Sequence, residues 1–238
     1  MYKKKSLGQH FLKNPYYLGL VADAAHITKG DRVLEIGPGE GTLTEILLAR
    51  GAAVTVIEKD SRLIPVLKEK FKGKKLTVVE GDALEYEPTF KNYKVVGNVP
   101  YYITGALFKK FLSGPHQPST LVFLIQKEVG ERIARSKKES ILSLSVKAYG
   151  TPLYIKSVPR GVFSPPPQVD SAIVSVTDIS RKNFKNKEHE ERFFELVKKA
   201  FGGKRKKLGT TLGAHAKDLK DLRPEDIQPE QWLTLTAD

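Results

Sequence analysis

The sequence predicts an α/β fold, a mostly parallel sheet covered by helices on both faces and followed by a small all-helical region. Three observations carry this reading. Between residues 15 and 176, short runs rich in Val and Ile alternate with stretches of helical periodicity, the pattern of strands buried on both faces. Beyond Val176 the strand pattern stops, and apolar residues recur at helical spacing alone. The 238 residues, 40% of them apolar, suffice for one α/β domain with a full core and a modest appendage.

Strands are expected at 32–36, 53–58, 76–80, 94–97, 120–125, 153–158 and 172–176, and helices at 15–25, 43–50, 62–71, 104–112, 128–135 and 140–148. The last two strands flank the stretch 161–168, where Pro165, Pro166 and Pro167 forbid a helix. That connection reads as a stiff extended loop closing an antiparallel pair. Residues 180–187 are polar and charged, which reads as a linker. From 188 to 201 the residues Phe193, Phe194, Leu196, Val197, Ala200 and Phe201 stand at helical spacing, and Gly202-Gly203 stops the helix. The expected division is a catalytic domain over 1–180 and a small helical domain over 181–238. No internal repeat is present.

Forty Lys and Arg against twenty-seven Asp and Glu give a net charge of +13. Such a surface attracts polyanions, and phosphate neutralisation supplies most non-specific nucleic-acid affinity. A nucleic-acid partner is expected, with a merely soluble basic surface as the plainer alternative. Cysteine is absent. That excludes disulfides, Cys-based metal sites and thiolate nucleophiles, and with them methyl transfer through cysteine addition to C6 of a pyrimidine. No metal is expected. No apolar run approaches the ~20 residues of a membrane span. The basic start, Lys3-Lys4-Lys5, precedes no apolar segment, so a signal peptide is not indicated. The expectation is a cytoplasmic monomer with no membrane partner.

In a parallel sheet, ligands sit outside the carboxyl ends of the strands. Four signals fall there. Glu35-Ile36-Gly37-Pro38-Gly39-Glu40-Gly41 joins a strand to a helix, and its glycines allow a tight turn and close backbone approach. A nicotinamide enzyme would want G-x-G-x-x-G. Here the third glycine comes one residue early, and Glu40 at a helix N-terminus would repel a pyrophosphate. S-adenosylmethionine carries no phosphate and a positive sulfonium, so it tolerates these acids. Glu58 ends the second strand, nineteen residues after Gly39, where a carboxylate can accept from both ribose hydroxyls. It could equally be a surface acid beside Lys59. Gly81-Asp82-Ala83 follows the third strand, where Asp82 can accept from an adenine amino group or simply cap a helix.

The fourth signal is Asn98-Val99-Pro100-Tyr101 at the end of the next strand. An exocyclic amine on adenine is a poor nucleophile because its lone pair is delocalised into the ring. Two acceptors aimed at its hydrogens localise that pair. The Asn98 side-chain carbonyl and the Val99 backbone carbonyl can serve, and Pro100 restricts the residue before it. Tyr101 offers a flat face for an extruded base. Phe163 is the candidate second wall, with a core aromatic as its alternative. Transfer from a sulfonium is an in-line displacement, so proximity and orientation carry the rate.

These residues together resemble the ribosomal RNA adenine dimethyltransferases, most closely the bacterial small-subunit type. The resemblance rests on Leu7-Gly8-Gln9-His10-Phe11-Leu12, the 35–41 turn, Asn98–Tyr101, and Phe163-Ser164-Pro165-Pro166-Pro167-Gln168-Val169-Asp170-Ser171-Ala172, and runs from the N-terminus to about residue 215. It implies a seven-stranded Rossmann-like S-adenosylmethionine methyltransferase sheet with a small all-helical C-terminal domain. It implies that Gln9, His10 and Leu12 close over the cofactor, and that Gly37, Gly39, Glu58, Asp82 and Asn98 bind it, with Gly41 and Ala83 in the same motifs. It implies two adjacent adenosines in a hairpin loop near the 3′ end of small-subunit rRNA, dimethylated on the immature 30S subunit with S-adenosylhomocysteine as by-product. Val99 stands where the family often has Leu or Ile. Two other readings stay open: a large-subunit rRNA methyltransferase of the macrolide-resistance type, and a non-catalytic nucleic-acid-binding relative.

Charge in the C-terminal region is segregated. Residues 181–207 carry eleven basic and four acidic side chains, a net of +7, whereas 208–238 carry three basic and six acidic, a net of −3. Lys204, Arg205, Lys206 and Lys207 beside the Gly202-Gly203 break, with Lys3, Lys4 and Lys5, are the candidate RNA clamp.

Overall fold

The computed structural model describes residues 10–203 and 205–237. A short strand β1 (Phe11–Leu12) leads into α1 (Pro15–Ala24), whose first turn is capped by the Asn14 side chain accepting from Tyr16 N. Then β2 (Arg32–Ile36), α2 (Thr42–Ala49), β3 (Ala53–Glu58), α3 (Ile64–Lys70), β4 (Leu76–Glu80) and β5 (Tyr93–Asn98) alternate. They are followed by α4 (Thr104–Ser113), β6 (Thr120–Gln126), α5 (Lys127–Ala134) and α6 (Ile141–Lys147). β7 (Thr151–Val158), β8 (Phe163–Ser164) and β9 (Ser171–Thr177) complete the strands. The tail is α7 (Lys187–Gly202), α8 (Leu208–Leu212) and α9 (Pro229–Leu235).

Seven strands form one sheet in the order β4-β3-β2-β5-β6-β9-β7. Every expected strand is there, within two residues at each end. The pairs from β4 across to β6 are parallel, and β9 runs antiparallel to both β6 and β7, as expected for the last pair. From β2 the chain winds outward through β3 and β4, then returns to place β5 on the other side of β2. The carboxyl ends of β2 and β5 therefore flank the point where the winding reverses, the place where such sheets bind ligands.

Neighbouring strand residues face opposite sides. Leu34, Val95, Leu121 and Phe123 belong to one buried cluster, while Val33, Val96, Val122 and Leu124 belong to the other. α1, α2 and α3 cover the second face. α4, α6 and α7 cover the first, where Phe108, Phe111 and Tyr149 share a cluster with Phe193, Val197 and Trp232 of the C-terminal helices. The stretch expected to be a linker is packed instead. Phe184 is buried, its ring edge-on to Tyr149 and Phe193. Arg181 donates to the carbonyls of Ser113 and Gly114. Polar composition misled here because one aromatic and one guanidinium suffice to anchor a short segment.

Candidate active site

The Gly-rich turn, β3, β4 and β5 all end on one cleft, at the carboxyl ends of the strands where such sheets bind ligands. Gly37, Gly39, Glu58, Asp82, Ala83, Asn98, Val99, Pro100 and Tyr101 line it, together with His10. Gly37 and Gly39 have φ of +65° and +58°, conformations that favour glycine. A Cβ on Gly39 would come within 2.6 Å of the Phe11 ring. The turn is thus bare so that β1 can lie across it.

Glu58 is 5% exposed, so it is not the surface acid of the plainer reading. Its carboxylate accepts from Gly39 N at 3.1 Å and Asp60 N at 2.8 Å and lines the cleft, where a carboxylate oxygen can accept more than one donor. Burial pushes its pKa up, and the backbone donors oppose that. Behind the turn, the fully buried Glu35 accepts from Thr44 Oγ1 at 2.6 Å. Burial pushes its pKa up to about 8. Asp82 is held the other way: the Lys59 ammonium donates to it at 2.7 Å and lowers its pKa, and Leu84 N donates to its other oxygen. Asp82 therefore both caps the following turn and presents a carboxylate to the cleft.

Asn98 Nδ2 donates to the His10 carbonyl at 2.7 Å. Tyr101 and Ser171 share a hydroxyl–hydroxyl bond of 2.7 Å, and the Tyr101 ring lies 24° from parallel to the His10 imidazole at 6.3 Å. The imidazole Nδ1–H donates to the Pro165 carbonyl at 2.8 Å. β1 and β8 pair antiparallel, Phe11 with Ser164 and Leu12 with Phe163, so the first described residues are strapped to the proline loop.

Three expected site residues are placed otherwise. Phe163 is 4% exposed in the core beside Leu12, Leu18 and Val158, and does not line the cleft. Its pairing with Leu12 turns the ring inward, and the ring standing opposite Tyr101 is His10 instead. Leu12 itself is a core side chain whose carbonyl accepts from Thr42 Oγ1 at 3.1 Å. Gly41, with φ +78°, caps α2, and a Cβ there would meet Phe71 and Leu67. It serves helix packing, not the cleft. Gln9, Lys3, Lys4, Lys5 and Lys204 lie outside the described residues. Arg205, Lys206 and Lys207 are exposed beyond the end of α7.

Sequence reasoning passed over Phe11, Lys59 and Tyr102, all of which line the cleft. Lys59 and Tyr102 each follow directly on a residue already singled out at a strand's carboxyl end, and that position was the available signal. Phe11 stands in the Leu7–Leu12 motif without a role assigned to it, and the β1–β8 pairing brings it to the cleft.

The sequence model of the ribosomal RNA adenine dimethylase family matches residues 1–233. The chain belongs to that family. The match extends past residue 215, so the family pattern includes most of the C-terminal helices. The ribosomal RNA small subunit methyltransferase A of Dehalococcoides mccartyi is 40% identical, over 93% of this chain and 77% of that protein. The protein of the same name from Fusobacterium nucleatum is 39% identical, over 98% of this chain and 96% of its own. Among solved structures, a dimethyladenosine transferase from Plasmodium falciparum superposes with a TM-score of 0.84 at 28% identity, covering 95% of this chain and 96% of that one. The 23S rRNA methyltransferase ErmE gives 0.80 at 29%, covering 95% and 98%.

This family member is an S-adenosylmethionine-dependent rRNA adenine dimethyltransferase. The cleft fits that cofactor on its own chemistry: a bare glycine turn for close approach, carboxylates at both ends and, among the described residues that line it, a single lysine, Lys59, which is paired with Asp82. Among the described residues no helix is long and apolar enough to cross a membrane.

Proposed function

We propose that this chain dimethylates N6 of two adjacent adenosines in the 3′-terminal hairpin loop of small-subunit rRNA, on immature 30S particles, as a cytoplasmic monomer. The observation that carries the chemistry is the Asn98 amide. Its nitrogen is committed to His10, so its oxygen is the end left for the target amine. Asn98 Oδ1 and the Val99 carbonyl accept the two amine hydrogens and localise the nitrogen lone pair, while Tyr101 stacks on the extruded base. Glu58 takes the ribose hydroxyls of the cofactor, Asp82 its adenine amine, and Gly37, Gly39 and Ala83 give it room. When bound, the cofactor supplies a methyl group on a sulfonium. His10 lines the cleft, and we assign closure over the cofactor to it and to Gln9, which lies outside the described residues. We assign residues 1–180 to this chemistry and 181–238, with Lys204–Lys207, to RNA contact.

What supports the small subunit over the large is the run of relatives sharing 37–40% identity, all named for the small subunit, against 29% for ErmE. Radiolabelled cofactor offered with immature 30S particles, and separately with 50S particles and free 23S rRNA, tests the reading. Label at two neighbouring adenosines of the 30S rRNA is expected. Label on 23S rRNA alone would select the macrolide-resistance reading. Cofactor binding without transfer to any of the three would select the non-catalytic one.

A further inference from the structure

His10 makes two hydrogen bonds with opposite senses. Its ring donates from Nδ1 to the Pro165 carbonyl at 2.8 Å, and its own carbonyl accepts from Asn98 Nδ2 at 2.7 Å. A primary amide has a donor end and an acceptor end, and half a turn about its last torsion exchanges them at almost no change in shape. An Asn side chain at the rim of an open cleft can adopt both orientations. Only one presents an acceptor to an incoming amine; the other presents N–H groups, which repel it. The His10 carbonyl selects the first. Among the described residues no other hydrogen bond engages the Asn98 side chain.

The carbonyl in turn needs a fixed backbone. β1 supplies two paired residues, Phe11 and Leu12, and a ladder that short is weak by itself. The imidazole anchored on Pro165 is the next tie beyond its end. We propose that His10 is a positioning residue for methyl transfer: its ring, held by the Pro165 carbonyl, fixes its own carbonyl where it orients the Asn98 amide with Oδ1 toward the target amine. This rests on the reading of Asn98 as the acceptor of the amine hydrogens.

Two other roles for the ring are separable by experiment. It faces Tyr101, so it could act by stacking, and it lines the cleft, so it could act by holding cofactor. His10→Asn keeps a donor near the place of Nδ1 and loses the aromatic ring. His10→Phe keeps the ring and loses the donor. In single-turnover transfer at saturating RNA and cofactor, H10F is expected to fall roughly ten- to hundredfold, toward the loss from removing one transition-state hydrogen bond, and H10N to recover to within about fivefold of the wild type. A second measurement needs neither ligand nor turnover. In amide ¹⁵N–¹H spectra, the Asn98 side-chain proton bonded to His10 is expected to be protected from exchange in wild type and H10N, and unprotected in H10F. It also exposes any variant that fails to fold.

H10F faster than H10N would assign the ring to stacking and overturn the proposal. So would a deficit in H10F that disappears as cofactor concentration rises, or Asn98 protection unchanged in H10F. Asn98→Ala run alongside separates the two readings. N98A within tenfold of wild type removes the Asn98 assignment and this proposal with it. A slow N98A beside a fast H10F removes the proposal alone.

Discussion

Tyr101 is held at its hydroxyl by Ser171, the first residue of β9, and half-buried, so its ring plane is set by the sheet, not by solvent. Burial raises its pKa, first among the influences on it, and the phenol stays neutral through the working range. If the ring face is what matters, Tyr101→Ala should weaken productive RNA binding by about 1–3 kcal/mol. Tyr101→Phe loses one hydrogen bond, about 0.5–1.5 kcal/mol, and keeps the face. A Tyr101→Phe enzyme as impaired as Tyr101→Ala in RNA affinity and single-turnover rate would move the role from ring to hydroxyl. Glu35 gives a second residue-scale test. Its pKa of about 8 in the fold lies above the ordinary 4.5, so the folded state holds a proton that the unfolded chain has released. That contribution is complete below about pH 4.5 and is lost as pH rises toward 8, with a slope of up to about 1.4 kcal/mol per unit. Glu35→Gln keeps the acceptor for Thr44 and cannot ionise. The stability of the wild type relative to E35Q is expected to fall between pH 5 and 8 in thermal melts. A pH-independent difference would mean that Glu35 is already ionised in the fold.

The Gly-rich turn divides its labour at the scale of elements. Gly37 and Gly39 belong to the cleft, whereas Gly41 lets α2 start against α3. A Cβ at Gly41 would stand 2.6 Å from the Phe71 ring, at a φ of +78°. Both backbone strain and the clash oppose it, costing of order 1–3 kcal/mol. Gly41→Ala should therefore lower the melting temperature while the folded protein keeps its cofactor affinity, by calorimetry, within about threefold. A large loss of affinity at unchanged melting temperature would return Gly41 to the cofactor cradle. The β1–β8 pair is the other element that decides the site. It brings Phe11 over Gly39 and His10 over Asn98, closing one side of the cleft.

Over the whole molecule, the net charge of +13 and its concentration before residue 208 are what the proposed RNA contact rests on. Lys207 pairs with Asp221 at 3.2 Å on the surface, and an exposed pair of this kind is weak enough to yield to a phosphate. Replacing Lys204, Arg205, Lys206 and Lys207 together by neutral residues should weaken RNA binding and lower its salt slope by roughly 0.7–0.9 per lost phosphate contact. Cofactor affinity should not change. RNA affinity and salt slope both surviving the fourfold change would place the RNA elsewhere. The cores argue for keeping the chain whole in such work, since Phe193, Val197 and Trp232 share their cluster with Phe108 and Phe111 of α4.

By itself the sequence determined the strands, their order of appearance, the glycine turn, and the residues at four strand ends. Each of these is written in local periodicity or in a residue type at a fixed offset from a strand, because side-chain alternation and backbone conformation are properties of neighbours. Only the tertiary structure decided that Phe163 lies in the core, that Gly41 serves α3, that residues 181–184 are anchored, and that Lys59 meets Asp82. It alone joined His10 to Pro165, 155 residues away. Contacts of this kind depend on which segments the sheet order brings together, and a side chain's facing follows from its pairing partner. No pattern confined to a dozen residues carries that information.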